Sequence, residues 1–526
     1  MRFFNTAGPV KSTDHYCLPP LERLDLPEVL RLIEQKKYFV LHAPRQTGKT
    51  TCLLALMEYL NQGSTYRCLY VNVEMGQAAR EDVREGIHAI LSRMASMERA
   101  YLNDRFLTGI WKEVLEESGP YDALNEVLTR WAQGSPKPVV LLIDEIDALV
   151  GDTLISVLRQ LRAGYPQRPA MFPQSILLCG VRDVRDYRIH SDRVKAIITG
   201  GSAFNIKAES LRLGNFTQTE VEALYIQHTK ETGQQFDSTA INLIWELTQG
   251  QPWLVNALGY ETCFKMTKGR ERGQPITADM VTEAKENIIS RRETHLDQLA
   301  DKLEEERVRS IIEPILAGGE MPDHPPKDDV QYVEDLGLIS TIGQLRIANL
   351  IYQEVIPREL TYTTQLTISQ EPAWYIRPED GRLDIDKLLS VFQEFFQEHS
   401  EHWVERFDYK EAGPQLLLQA FLQRIVNSGG RIEREYGLGK MRTDLLIFWP
   451  HQLGVQKIVI ELKILHKSLD ATLAVGLKQT WKYMDRCGTE EGHLVIFDRG
   501  ADKSWEEKLF QRAESFQDRK IIVWGM

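Results

Sequence analysis

The amino-acid sequence predicts a multidomain α/β protein in which two α/β units flank a wholly helical region. From about residue 35 to 200, short apolar β-rich runs alternate with helical patterns, which is typical of a parallel sheet covered on both faces. From about 211 the pattern becomes wholly helical, and after about 384 long helices precede a second group of strand-like runs. A chain of 526 residues is too long for one hydrophobic core, so we expect three or four domains.

The first α/β unit is predicted from four apolar runs that have the length of buried strands. These strands are Tyr38–His42, Arg67–Val73, Val139–Asp144 and Ser175–Gly180, with helical stretches such as Thr50–Asn61 and Asp82–Met97 between them. We assign residues 1–210 to this unit.

The helical region begins with a clear N-terminal signal. Thr217 is the predicted N-cap and Glu220 reaches back to complete a capping box, with Phe216 and Val221 placed as its hydrophobic staple. Further helices are predicted at about 238–248, 253–266 and 277–292. We assign 211–292 to a helical lid.

A small module is predicted next, over residues 293–360. A helix over Asp328–Leu336 precedes a hairpin formed by Leu338–Ser340 and Gln344–Ile347 around Gly343. Helices followed by a small hairpin indicate a winged-helix-like module.

A polar segment at about 361–382 predicts the main inter-domain connection, so we assign 361–400 to a linker and connecting helix. Residues 401–526 form the predicted second α/β domain. Its helices are expected at 384–400 (the connecting helix), 411–427 and about 470–486, and its strands at Arg431–Glu435, Asp444–Trp449, Lys457–Leu462 and Leu494–Phe497.

Bulk composition excludes some classes of protein without deciding the function. The 63 basic and 75 acidic residues give a net charge of −12, which argues against a surface coated for nucleic acid but leaves room for a local basic groove. No apolar run approaches the roughly 18 residues of a membrane span, and the N-terminus turns polar too soon for a secretory signal. The six cysteines form no CxxC pair, so we expect a reducing cytoplasm and no membrane partner.

A phosphate-binding loop is predicted directly after the first strand. The pattern Ala43-x4-Gly48-Lys49-Thr50 lies between a strand and a helix, where backbone N–H groups and the helix dipole favour a polyphosphate. Lys49 would reach the β- and γ-phosphates and Thr50 would coordinate Mg²⁺. Ala43 stands where glycine is usual. The residues expected to bind ATP here are Ala43, Pro44, Arg45, Gln46, Thr47, Gly48, Lys49, Thr50 and Thr51.

Two carboxylates follow the apolar strand Val139–Ile143. Asp144 is expected to hold the Mg²⁺ of ATP together with Thr50, and Glu145 to polarise the attacking water. Taken alone, the pair would also suit a solvated strand end. However, the pair follows the phosphate-binding loop within the same α/β unit, and this order favours the catalytic interpretation.

These motifs resemble those of the AAA-like ATPases, and within them the group allied to the STAND signalling ATPases. Cys179-Gly180-Val181-Arg182-Asp183 is similar to the sensor region, which implies that Arg182 senses the γ-phosphate; a surface ion pair of Arg182 with Asp183 or Asp186 is the alternative. Thr248-Gln249-Gly250-Gln251-Pro252-Trp253 is similar to the Gly-x-Pro motif of the lid. The resemblance implies that Pro252 packs near the base, although Pro252 could also simply break a helix. The sequence does not choose a base contact among His15, Tyr16 and Pro19-Pro20.

A second group of chemically active residues lies in the C-terminal domain. Asp444 and Glu461 are far enough apart for one strand to end and pair with the next, and alternation places Glu461 and Lys463 on one strand face. Two carboxylates and a lysine suit Mg²⁺ or Mn²⁺, which would activate water for phosphodiester cleavage. The same residues also occur on solvated sheet edges, but here the strands are strongly apolar.

This pattern resembles the PD-(D/E)XK nuclease fold, with Asp444 as the first acid and Glu461-Leu462-Lys463 as its (D/E)-x-K. Glu411 matches an additional acid, so Glu411, Asp444 and Glu461 are the expected metal ligands. Thr443 departs from the proline of the family pattern. The segment Arg434-Glu435-Tyr436-Gly437 matches the sequence that such a tail has when it follows an AAA-like ATPase. Gln479 and Tyr483 lie four residues apart on one helix face. They match a polar pair that some members direct at the active site, and ordinary helix packing is the alternative.

The whole chain looks like the prokaryotic AAA-like ATPases that carry a PD-(D/E)XK tail. This resemblance implies an ATPase that controls a metal-dependent nuclease acting on DNA, with Glu145, Asp444, Glu461 and Lys463 as catalytic residues and ATP and Mg²⁺ (or Mn²⁺ in the tail) as cofactors. The alternative is an ATP-driven switch whose tail is a non-catalytic docking surface. For the winged-helix-like module, we expect packing against the ATPase rather than contact with DNA. A homo-oligomer is possible, but the sequence assigns no arginine finger that would support it.

Overall fold

The structure is a computed structural model, and it divides into two compact units. One comprises residues 1–298 with 326–352, and the other residues 299–325 with 353–526. The residues described are 1–183, 188–191, 196–199, 204–291, 294–316, 326–343, 345–360, 375–406, 418, 421–422, 431–438, 441–451, 454–465, 468–498 and 503–526. No helix within these ranges combines the length and the apolarity that crossing a membrane requires.

The first unit is built on a parallel sheet with the strand order β2-β3-β4-β1-β7. The strands of the N-terminal region are β1 (Tyr38–His42), β2 (Arg67–Asn72), β3 (Val139–Asp144), β4 (Ser175–Gly180), β5 (Arg188–Ser191), β6 (Ala196–Thr199) and β7 (Lys207–Arg212). Strands β5 and β6 form a separate antiparallel hairpin. Because the five sheet strands are parallel, their carboxyl ends meet at one edge, where ligands bind in open α/β sheets.

Helices connect these strands and cover the sheet. They are α1 (Leu26–Glu34), α2 (Lys49–Gln62), α3 (Val83–Met97), α4 (Phe106–Ser118), α5 (Ala123–Gly134) and α6 (Gly151–Ala163). Strands β3 and β4 are buried along their whole length, which explains their continuous apolar sequences. The predicted bounds of β1, β3 and β4 are confirmed, whereas the edge strand β7 was not predicted because its sequence is polar and its residues are largely exposed.

The helical region follows the predicted order. Its helices are α7 (Gln218–Thr232), α8 (Ser238–Thr248), α9 (Pro252–Tyr260) and α10 (Ala278–Ser290). The predicted capping box is present: the Glu220 amide donates to Thr217 Oγ1 at 3.2 Å, and the Thr217 amide donates to Glu220 Oε2 at 2.7 Å. Phe216 and Val221 are both buried, as a hydrophobic staple requires.

Four more helices and one hairpin follow before the C-terminal region. They are α11 (Thr294–Leu303), α12 (Glu306–Leu316), α13 (Lys327–Asp335), β8 (Ile339–Ser340), β9 (Arg346–Ile347) and α14 (Leu350–Leu360). Strands β8 and β9 pair antiparallel, as the sequence predicts for this hairpin. The winged-helix assignment of the module as a whole remains a prediction.

The second unit contains a six-stranded mixed sheet with the order β10-β11-β12-β13-β15-β14. Its elements are α15 (Ile385–Arg406), β10 (Arg431–Leu438), β11 (Met441–His451), β12 (Gly454–Ile464), α16 (Leu469–Cys487), β13 (Glu491–Phe497), α17 (Trp505–Lys508), β14 (Phe510–Phe516) and β15 (Arg519–Gly525). Strands β12, β13 and β15 run parallel to one another. The predicted helix at 411–427 and connection at 361–382 lie mostly outside the described residues.

Two apolar clusters cover the two faces of this sheet. On one face Leu446 and Val459 pack with Tyr483 of α16. On the other face Leu445 and Ile460 pack with residues of α15. Neighbouring residues on β11 and β12 therefore alternate between the α16 face and the α15 face.

Candidate functional site

The loop after β1 adopts a conformation that needs glycine. Gly48 has a φ of 93°, and a Cβ there would lie 2.7 Å from Arg23 Nη1. Gln46 is also left-handed, with a φ of 58°. Helix α2 begins immediately at Lys49, so free N–H groups of its first turn adjoin the loop, as the predicted phosphate-binding role requires.

Lys49 lies beneath this loop with its side chain only 5% exposed. Its Nζ donates to the carbonyl oxygens of Ala43 and Pro44, each at 2.9 Å. Thr47 Oγ1 donates to the same Pro44 carbonyl at 2.9 Å. The ammonium group is thus fixed at the centre of the turn. The Ala43 side chain is fully buried, so the methyl group in place of the usual glycine is accommodated.

The hydroxyl of Thr50 and the carboxylate of Asp144 meet at the carboxyl edge of the sheet. Thr50 Oγ1 donates to Asp144 Oδ2 at 2.7 Å, although 94 residues separate the two in sequence. Asp144 is fully buried and also accepts a hydrogen bond from Tyr70 Oη at 2.9 Å. Burial, followed by the Asp144 carboxylate, raises the pKa of Tyr70, which therefore stays a donor. A hydroxyl and a carboxylate are oxygen ligands of the kind that Mg²⁺ accepts, so the predicted Mg²⁺ pair fits the ion.

Glu145 follows Asp144 in a left-handed conformation with a φ of 58°. Burial raises the pKa of its carboxyl group, and the neighbouring Asp147 raises it further, whereas Lys49 opposes both. Glu145 is therefore a half-buried carboxyl group with a raised pKa beside the phosphate loop. These are the properties of a general base.

Arg182 has a partner that the sequence did not indicate. Its Nε donates to Asp335 Oδ2 at 3.3 Å, and its guanidinium lies 4.8 Å from the centre of the Tyr332 ring. Of the two partners weighed from the sequence, Asp183 forms an ion pair with Lys207, and Asp186 lies outside the described residues. Arg182 therefore forms a buried ion pair with helix α13, which neither the phosphate-sensing role nor the surface ion pair weighed from the sequence had indicated.

The turn after helix α13 lies against the phosphate loop, and the helix itself contacts the end of β7. Gly337 has a φ of 78°, and a Cβ there would lie 2.7 Å from Pro44 Cγ. Arg212 at the end of β7 forms an ion pair with Glu334 at 3.3 Å. Residues 334–337 therefore lie against both the loop and the edge of the sheet.

We expect Asp335→Ala to loosen helix α13. Arg182 and Asp335 are only 11% and 1% exposed, so removing the carboxylate leaves a poorly solvated guanidinium, at a cost of about 3 kcal/mol. Amide hydrogen exchange across 327–335, followed by mass spectrometry, should accelerate about 100-fold. Arg212→Ala is the control: its pair with Glu334 is partly exposed, so exchange should change less than about fivefold. Equal protection in both variants would contradict the importance of the buried pair.

A cleft lies beside the phosphate loop, between the N-terminal segment and the lid. It encloses about 730 Å³, part of it open to solvent. Its lining comprises Asn5, Thr6, Ala7, Gly8, Val10, Tyr16, Cys17, Leu18, Pro20, Arg23, Gln46, Thr47, Gly48, Thr51, Cys52, Phe216, Leu224, Pro252, Trp253 and Asn256. Helix α8 ends at Thr248 and α9 begins at Pro252, so the helical chain is interrupted here, as one interpretation of Pro252 expected, and Pro252 also lines the cleft. Of the undecided base contacts, Tyr16 and Pro20 line the cleft and His15 and Pro19 do not.

Arg23 connects the loop to the lid, a role that no local sequence pattern indicated. Its Nη1 donates to the Thr47 carbonyl at 2.7 Å and its Nη2 to the Gly214 carbonyl at 2.8 Å. Its guanidinium also lies 4.6 Å from the centre of the Phe216 ring. The lid is fastened to the N-terminal segment as well, since Trp253 Nε1 donates to the Thr6 carbonyl at 2.9 Å.

The N-terminal region matches a known family. Residues 32–187 match the family described as an AAA domain, and this segment contains the loop, Asp144 and Glu145. It is an AAA-like P-loop ATPase domain. The five-stranded parallel sheet with its flanking helices fits that fold. No curated protein matches the chain.

Several solved structures are similar to the chain at low identity. The Walker-type ATPase of Pyrococcus abyssi is 15% identical, with a TM-score of 0.46, over 67% of this chain and 99% of its own. Cdc6p from Pyrobaculum aerophilum is 15% identical with a TM-score of 0.35, over 72% and 93%. The Drosophila ORC bound to DNA is 13% identical with a TM-score of 0.35, over 75% and 87%.

The second site predicted from the sequence lies outside the AAA-like ATPase domain, on the α16 face of the C-terminal sheet. Glu461 is 2% exposed, and Lys463 Nζ donates to its Oε1 at 2.6 Å. The described antiparallel pairing of β11 with β12 ends at Leu445 and Ile460, and Glu461 is the next residue along β12. Position 444 precedes Leu446 by two residues and therefore belongs to the same face.

Two of the predicted metal ligands, Glu411 and Asp444, are not described in full. Glu411 lies outside the described residues, and of Asp444 only the backbone is described. Among the described side chains, no group of three or more His, Cys, Asp or Glu could hold a metal ion. Tyr483 of the predicted polar pair is buried against the sheet on the α16 face, and Gln479 lies one helical turn before it.

Proposed function

We propose that the protein binds and hydrolyses ATP at the loop 43–50, and that its nucleotide state governs a metal-dependent nuclease site in the C-terminal domain. The observation that carries the first half is the contact between Thr50 and Asp144. It joins the helix after the loop to the acidic end of β3, at the carboxyl edge of one parallel sheet. The nuclease half rests on the sequence resemblance and on the placement of Glu461 and Lys463.

The roles of the ATPase residues follow from their positions. Lys49 exchanges its two carbonyl acceptors for the β- and γ-phosphates and so offsets their charge. Thr50 and Asp144 would hold Mg²⁺, which neutralises phosphate charge when it is bound. Glu145 accepts the proton of the attacking water, and its raised pKa favours that transfer. The cleft that Pro252 lines takes the base.

We expect Lys49→Ala to lower the affinity for ATP about 100-fold, because the variant loses charge-assisted hydrogen bonds to two phosphates. Equilibrium titration with a fluorescent ATP analogue measures the change. Lys230→Ala removes an exposed lysine from helix α7 and should bind ATP like the wild type. Unchanged affinity in Lys49→Ala would refute the placement of the phosphates.

The nuclease proposal is supported by the chemistry of one sheet face. A carboxylate that is 2% exposed is costly in a protein interior unless a cation accompanies it, and Lys463 supplies one. We propose that the acid at position 444 joins Glu461 to form the oxygen-rich site that Mg²⁺ or Mn²⁺ prefers. DNA is the proposed substrate because the resemblance is to DNA-cleaving enzymes; a net charge of −12 requires that any DNA-binding surface be local.

The coupling is tested with the full chain. Plasmid DNA and labelled single- and double-stranded DNA and RNA are incubated with Mg²⁺ or Mn²⁺ in the presence of ATP, ADP or no nucleotide. The proposal requires cleavage that EDTA abolishes and that differs between nucleotide states. Cleavage at the same rate in every nucleotide state would remove the coupling, and inertness toward every substrate would remove the nuclease.

One observation favours the alternative, an ATP-driven switch whose tail is a docking surface. Arg182, the proposed phosphate sensor, is held by Asp335 at the end of a helix, and the turn that follows this helix lies against the phosphate loop. If ATP draws Arg182 away, the position of α13 reports the nucleotide state. In this case ATP should accelerate hydrogen exchange across 327–335 while the tail cleaves nothing.

A further inference from the structure

Asn256 is a buried polar residue of the lid that lines the cleft beside the phosphate loop. The residue lies one turn into α9, lines the cleft and is only 7% exposed. Its Nδ2 donates to the Pro252 carbonyl at 2.8 Å. Its Oδ1 is buried and has no hydrogen-bond partner within the described part of the chain.

The orientation of this amide is fixed by its neighbour. The Pro252 carbonyl can only accept, so the amide group beside it must be the NH₂ group. Turning the amide over would bring two acceptors together within hydrogen-bond distance. The unpaired polar atom of Asn256 is therefore an acceptor. A buried acceptor without a donor is unfavourable, so a donor from an occupant of the cleft would stabilise it.

The shape of the cleft indicates what kind of group brings that donor. Phe216, Leu224 and Trp253 give it apolar walls, and Gly48 and Thr51 form its boundary with the phosphate loop. A planar base with apolar faces and polar edges, attached to a triphosphate in the loop, satisfies both requirements.

We propose that Asn256 Oδ1 accepts a hydrogen bond from the 6-amino group of adenine and thereby selects ATP over GTP. Adenine carries an amino donor at this position, whereas guanine carries a carbonyl acceptor. Guanine would bring two acceptors together, and the contact with Pro252 prevents the amide from turning to relieve the clash. The inference rests on the proposed ATP site and adds to it the residue that reads the base.

The first test uses the wild-type full chain and four nucleotides in competition with a fluorescent ATP analogue. We expect GTP and ITP, which both carry a 6-carbonyl, to bind at least about 10-fold more weakly than ATP. Purine riboside triphosphate, which carries only hydrogen at position 6, should lose about the same factor. Equal affinity for ATP and for the 6-carbonyl nucleotides overturns the inference and leaves ATP binding in place. Failure to bind any nucleotide overturns the ATP site itself.

The second test is Asn256→Ala, with Asn242→Ala as the matched control, since Asn242 is an exposed asparagine of the lid outside the cleft. Asn256→Ala should lower ATP affinity about 10-fold while changing GTP affinity less than about twofold, so that discrimination disappears. Equal weakening of both nucleotides would assign Asn256 a structural role and overturn the inference. If the variant does not fold, the wild-type nucleotide series decides alone.

Discussion

Replacing Glu145 by glutamine is expected to slow ATP hydrolysis by about 10²–10⁴-fold while leaving ATP affinity within about threefold. Glutamine has the same length and shape, so it can keep the left-handed backbone and half-buried position of Glu145. It cannot accept a proton from water, so only the chemical step is affected. Asp144, Thr50 and Lys49 retain their contacts with one another and with the loop.

Single-turnover release of phosphate measures the chemical step, and equilibrium titration measures affinity separately. Glu58→Gln is the matched control, because Glu58 is an exposed glutamate on the helix that follows the loop. Its rate should equal that of the wild type. If Glu145→Gln hydrolyses ATP at the wild-type rate, Glu145 is not the general base and another group must take the proton.

Local sequence patterns were sufficient for the centre of the ATPase fold. Strands β3 and β4 are buried on both faces, so an uninterrupted apolar run marks them, and their predicted bounds agree with the structure. Strand β7 lies at the edge of the described sheet beside β1 and is polar with no fully buried residue, so it gives no such signal. Strand β15 is different, because its residues 521–524 form an apolar run that indicates a buried strand, although no strand was predicted there.

Contacts between distant parts of the chain could not be predicted in the same way. The loop and the end of β3 each carry a recognisable motif, so their meeting followed from the parallel sheet. Arg182 and Asp335 lie 153 residues apart, and either could have paired with a nearer charge. Arg23 and Asn256 likewise have roles only because the lid folds against the N-terminal segment. Single polar residues without a motif acquire a function through tertiary packing.

Replacing Lys463 by alanine is expected to reduce metal-dependent DNA cleavage by about 10²–10³-fold, the loss usual when one group that stabilises developing negative charge is removed. Lys463 is partly buried and donates a 2.6 Å hydrogen bond to Glu461, so in the proposed nuclease site it would act on the scissile phosphate beside the metal. Its removal leaves Glu461 as a ligand, so Mn²⁺ affinity measured by calorimetry should change much less than the cleavage rate.

Lys457→Ala is the control on the same strand. Residues 457 and 463 belong to one face of β12 but lie about 20 Å apart at the rise of an extended strand, and Lys457 Nζ contacts the Cys487 carbonyl instead. Its cleavage rate should match the wild type. Equal loss in both variants would indicate a general effect on the fold. Full activity in Lys463→Ala would show that cleavage does not depend on the Glu461–Lys463 pair, and the tail would then be better explained as a docking surface governed by the ATPase.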